Sequence, residues 1–86
     1  MSSLHLVFSL AGLAACQKRR STQDVVVLLG DGVYCTMLDT DIERAYVLSE
    51  DLEIRGAANI IGLATTNYTG LVELCTQHSP IVSWND

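Results

Sequence analysis

The apolar positions of this chain fall into short runs that stop abruptly at small, polar or acidic residues. Val25–Leu29 is apolar at every position, which predicts a strand covered on both faces, as parallel sheets require. Leu4–Phe8 and Arg44–Leu48 read as two more strands. Between the first two, Leu10–Lys18 places Leu10, Leu13 and Ala14 at helical spacing, predicting a helix that buries that face. Its last turn carries Lys18 and Arg19, which suit the negative end of a helix, and Ser21–Gln23 follows as a polar turn.

Gly30-Asp31-Gly32 breaks the strongest strand, and Val33–Leu38 reads as a short helix before a polar connection, Asp39–Glu43. After the third strand, Ser49 is a good N-cap, Glu50 and Asp51 complement the helix dipole, and Gly56 marks the helix end. Ile60–Thr65 holds a weaker strand interrupted by Gly62. Thr69–Gln77 reads as a helix with Leu71, Leu74 and Cys75 on one face; Pro80 ends it and Ile81–Trp84 is a terminal strand. Strands alternating with helices predict an α/β fold, a three-layer α/β/α sandwich with a five-stranded, largely parallel sheet. The expectation is a single domain over residues 1–86.

Composition adds a partner. Nearly half of the 86 residues are apolar and the mean hydropathy is positive. A domain this small buries only about 60–65% of its unfolded surface. Some apolar surface is therefore left for an oligomeric contact. Ten acidic against five basic residues give a net charge of −5, which argues against a phosphate-tracking nucleic-acid surface. The basic cluster Lys18-Arg19-Arg20 reads as a solvated helix end. No apolar stretch is long enough to span a membrane. Leu13-Ala14-Ala15-Cys16 resembles a lipoprotein cleavage box, but the positive charges follow the apolar run instead of preceding it, so a cytoplasmic protein is expected.

Candidate chemistry is sparse. Gly30-Asp31-Gly32 lies where a phosphate loop would, yet the third glycine position is Cys35 and no Gly-Lys-Ser/Thr follows. Asp31, Asp39, Asp41, Glu50 and Asp51 lack the acidic pair and late lysine of a phosphoacceptor site. His5 and His78 read as packing or solvated residues. Three cysteines, Cys16, Cys35 and Cys75, show no paired spacing, which speaks against a disulfide framework or a zinc site. They are the only plausible nucleophiles. Cys75 shares the apolar face of its helix, and at Cys35 a helix N-terminus favours a thiolate while Asp31 opposes it. At Cys16 the helix dipole opposes a thiolate while Lys18, Arg19 and Arg20 favour one.

Taken in order, Leu4-His5, Leu28–Tyr34, Tyr46–Gly56, Tyr68–Leu74 and Trp84 resemble the TusB/DsrH family of sulfur-relay subunits. The resemblance implies a DsrE-like fold and a cytoplasmic hetero-oligomer, a dimer of heterotrimers, with two sibling subunits of similar fold (TusC/TusD-like or DsrE/DsrF-like). It implies no cofactor and only an indirect link to tRNA. On the TusB branch the complex relays persulfide sulfur toward 2-thiolation of tRNA wobble uridine, and the sulfur-bearing cysteine is on a sibling. On the DsrH branch sulfur is handled during its oxidation, and a cysteine lies in the first helix; Cys16 occupies the matching region. A small ligand-binding or signalling domain using the Gly30–Tyr34 edge is the alternative from a different class.

Overall fold

The computed structural model describes residues 2–38 and 41–85. Five parallel strands form one sheet: β1 (Leu4–Val7), β2 (Val25–Leu28), β3 (Ala45–Leu48), β4 (Ala64–Thr66) and β5 (Ile81–Trp84). Helices α1 (Leu10–Arg19), α2 (Ser49–Arg55) and α3 (Tyr68–Gln77), and a 3₁₀ helix over Gly30–Met37, connect them. The strand order is β4-β3-β2-β1-β5.

That order decides the layers. From β1 to β4 each step moves one strand in the same direction, so right-handed crossovers put α1, the 3₁₀ helix and α2 on one face. The return from β4 to β5 runs the other way, so α3 stands alone on the opposite face. Two apolar clusters match this division. Val7, Val26, Leu28 and Val47 pack with Leu13, Cys16, Val33 and Cys35 under the three-helix layer. Leu4, Val25, Val27 and Leu48 pack with Leu71, Leu74 and Cys75 under α3. Consecutive β2 residues therefore supply both cores, and all four are buried, as the unbroken apolar run predicts.

Local differences from the expected elements have identifiable causes. Leu13 is buried as expected, but Leu10 is half exposed and Ala14 faces solvent; the buried stripe of α1 is Gly12, Leu13 and Cys16. Gly12 lies against the Trp84 carbonyl, which a Cβ there would approach to 2.7 Å, and the Ser9 side chain caps the helix by accepting from Gly12 N at 2.9 Å. Ser49 is not the N-cap of α2: the helix starts at Ser49, Leu48 holds the cap position, and the Ser49 hydroxyl donates to Glu50. Arg44 takes a left-handed φ of 52°, so β3 begins one residue later than expected. Ile60–Gly62 is a turn with its Gly62 amide on Asn59 O, and the fourth strand shrinks to Ala64–Thr66. The helix after β2 is 3₁₀ and takes in the Gly-Asp-Gly segment. Of the expected polar connection Asp39–Glu43, Asp39 and Thr40 lie outside the described residues.

Two glycines are structural for different reasons. A Cβ on Gly32 would overlap the Val7 carbonyl oxygen, because the 3₁₀ helix is drawn directly onto the end of β1. Gly56 closes α2 in the left-handed region at φ 59°, and nothing lies near its Cβ position.

Gly32→Ala should therefore lower stability by about 3 kcal/mol, since backbone must move to admit the methyl group. Gly56→Ala should cost only ~1 kcal/mol, the left-handed penalty alone. Urea midpoints of the two variants against wild type check the order.

Candidate functional site

Cys16 projects from the buried stripe of α1 into the core beneath the three-helix layer and has no solvent exposure. Burial pushes its thiol pKa up; the Arg20 charge one turn later pulls it down without cancelling that, and Asp24 adds to the rise. Cys35 is equally enclosed, in the same cluster, and burial raises its thiol against the opposing effect of a backbone hydrogen bond at the residue itself. Cys75 is half-buried under α3, beside Leu71 and Leu74 as the spacing predicts. All three thiols are free. A sulfur nucleophile must be both ionised and reachable. In this chain by itself, neither Cys16 nor Cys35 is reachable.

The basic cluster divides. Lys18 and Arg19 are exposed, whereas the Arg20 guanidinium clamps main-chain carbonyls, donating to Glu43 O at 2.8 Å and to Asp24 O at 2.5 Å. Arg20 also lines a polar cleft of about 230 Å³ with Gln17, Thr22, Asp41 and Glu43. Gln17 and Arg20 place this cleft beside the C-terminal half of α1, the helix that carries Cys16. Its charges are mixed, and its one guanidinium is already engaged by the main chain.

At the C-terminal edge of the sheet the Gly30 amide donates to Asp51 Oδ2 at 2.7 Å and the Gly32 amide to Leu29 O at 2.9 Å. Both glycine amides are thus taken by the protein itself, unlike those of an anion cradle. Arg55 bridges Asp31 at 3.1 Å and approaches Asp51 at 3.7 Å. Asp31 is largely exposed, so that bridge contributes little. Glu50 accepts from the Tyr68 amide, tying α2 to the start of α3. Asp41 lies in the cleft near α1, so the structure separates the acidic residues rather than gathering them; Asp39 lies outside the described residues. Among the described residues no three His, Cys, Asp or Glu side chains converge to hold a metal ion.

The polar cluster with the best geometry joins residues far apart in the chain. Trp84 Nε1 donates to His5 Nδ1 at 3.0 Å, and the two rings stack with centroids 6.1 Å apart. With Nδ1 accepting, His5 Nε2 carries the proton and donates to Asp24 Oδ2 at 2.8 Å. The amides of Ser3 and Ser21 also donate to the Asp24 carboxylate, each at 3.0 Å. Burial opposes the Asp24 charge, but the His5 and amide hydrogen bonds outweigh it and hold the pKa at about 2. This network contains no nucleophile. It is a clasp that ties β1, the entry to β2 and the end of β5. His5 is indeed a packing residue, now with named partners, whereas His78 bonds the Ser2 hydroxyl at 2.9 Å. Asp24 escaped sequence reasoning because its partner lies 19 positions away; the traces were a histidine inside an apolar strand and a late tryptophan.

Residues 7–81 match the family described as DsrH like protein. No curated protein matches the chain. The matched span takes in Cys16, the Gly-Asp-Gly segment, all of α1, α2 and α3, and the start of β5. No helix of the described residues is long and apolar enough to cross a membrane.

The clasp has a pH signature. The folded pKa of Asp24 lies below its ordinary value of 3.8, so its stabilisation is fully present above about pH 4 and is lost as pH falls through about 2. The shift corresponds to about 2 kcal/mol. Asp24→Asn should be less stable than wild type at pH 6, and the gap should close between pH 4 and 2. Urea midpoints across that range measure it.

Proposed function

We propose, for a chain that belongs to the DsrH-like family of sulfur-relay subunits, that it is a supporting subunit whose sulfur-bearing cysteine resides on a sibling. One observation carries this reading: Cys16 and Cys35 are both fully enclosed, with thiols that burial holds in the protonated form. In this reading residues 1–86 act as one domain in a cytoplasmic hetero-oligomer with two DsrE-like subunits, a dimer of heterotrimers. The persulfide sulfur relayed by that complex is destined for 2-thiolation of tRNA wobble uridine. The net charge of −5 is in keeping with an indirect link to tRNA, in which another subunit or a downstream enzyme meets the nucleic acid.

A second reading assigns Cys16 itself as a carrier in sulfur oxidation. It is favoured by Arg20, whose charge lowers the thiol pKa, and by the polar cleft one turn away. The Cys16 thiolate would attack the outer sulfur of a donor persulfide. One S–S bond forms at Cys16 as the donor S–S bond breaks, and the donor leaves as a thiolate. The first reading is preferred because such an attack needs α1 to move and expose the sulfur.

Intact mass after incubation with a small-molecule persulfide donor separates the two. The supporting role predicts no added sulfur that depends on Cys16, in wild type and Cys16→Ser alike, while a DsrE-like sibling treated in parallel gains one. An adduct on wild type that Cys16→Ser removes would establish the carrier reading instead.

A further inference from the structure

Residues 56–85 contain one side chain of the Asp, Glu, Lys and Arg set, Glu73; all five lysines and arginines lie at or before Arg55. That stretch supplies β4, α3 and β5, which are both edges of the sheet and the whole of its thinner layer. Monomeric sheets usually guard their edge strands with charge, and lysine above all. Here Ala64–Thr66 and Ile81–Trp84 carry none.

The face above them is incompletely covered. Five strands at about 4.8 Å spacing make a sheet roughly 19 Å across, and one helix shields about 10 Å of it. Leu6, Phe8 and Tyr46 are consequently only partly buried beside α3. On α3 itself Val72 is 62% exposed and Tyr68 52%, and at the β5 edge Ile81 is 46% exposed. Apolar residues are also exposed on the three-helix layer, but there Lys18, Asp31, Glu53 and Arg55 stand among them. Depletion of charge, more than apolarity, is what distinguishes the centre of a protein interface.

We infer that the α3 face, with the adjoining β5 edge, is the surface on which another subunit of the relay complex docks through an apolar patch flanked by Lys or Arg. The basic margin answers Glu73, the lone charge in the stretch. A second copy of this chain fits less well, since the same stretch offers Glu73 no Lys or Arg counterpart and the copy adds another −5 of net charge. The inference rests on the reading of this chain as a subunit of a hetero-oligomer.

The test uses the full chain co-expressed with the two DsrE-like siblings, with assembly followed by native mass spectrometry and affinity by titration. Val72→Glu should weaken assembly about tenfold or more, as loss of a buried apolar contact does. Glu73→Lys should weaken it severalfold at low salt and less at high salt. Ile54→Glu, on the exposed side of α2, should leave it unchanged. All three positions are exposed in the isolated subunit, so unchanged circular dichroism melts are expected and show that each variant folds. Assembly lost with Ile54→Glu and kept with Val72→Glu would move the interface to the other layer and overturn the inference. A homodimer of the chain alone that Val72→Glu dissolves would put a second copy on this face, overturning the choice of partner. Wild type that stays monomeric with both siblings would remove the hetero-oligomer reading itself, and the inference with it.

Discussion

A parallel sheet must be covered on both faces, and this chain has too few helices to do that evenly. Val25, Val26, Val27 and Leu28 alternate between the two cores and are all buried, so neither layer is dispensable. Three of the four helical segments are committed to one face by the direction in which β1 to β4 are laid down. The fourth must serve the other face alone. The partly covered residues Leu6, Phe8 and Tyr46 follow from that unequal division, and the charge-poor last third of the chain supplies the thinner layer. Membership of a family of multi-subunit sulfur-relay proteins agrees with it.

The chemistry of the cysteines is constrained by the same packing. A thiolate needs water or a compensating charge, and the three-helix layer gives Cys16 and Cys35 neither in sufficient measure. Arg20 is near enough to bias Cys16, but its guanidinium is spent holding the carbonyls of Asp24 and Glu43. The same guanidinium thus braces the entry to β2 and β3 rather than activating sulfur.

Much of the fold was legible because it rests on short-range signals. The uniform apolar run of β2, the end of α2 at Gly56 and the terminal strand Ile81–Trp84 need no knowledge of tertiary structure. What went astray depended on neighbours in space. The buried face of α1 carries Gly12, pressed on the Trp84 carbonyl, and Cys16 beside Leu13, not Leu10 and Ala14. Ile60 and Ile61 look like strand residues by type, but the Gly62 turn leaves Ile60 exposed and sets the Ile61 amide on Thr36 O. The candidate site was legible only as residue types. No local pattern could show that Trp84 fixes the tautomer of His5, or that Asp24 receives its proton donor from a strand 19 residues earlier.

The placement of β5 beside β1 sets an order on the making of the chain. Leu4 faces Ile81 and Val7 faces Trp84, so the first strand waits for a segment made well after β2 before its second neighbour arrives. The layer built from α1, the 3₁₀ helix and α2 involves neither α3 nor β5 and can close before they join. Until β5 is complete, β1 is itself an edge strand with an open ladder of hydrogen-bonding groups. At ordinary elongation rates of roughly 5–20 residues per second, that opening lasts a few seconds. A chain of this design is therefore at its most adhesive after β2 has paired with β1 and before β5 arrives.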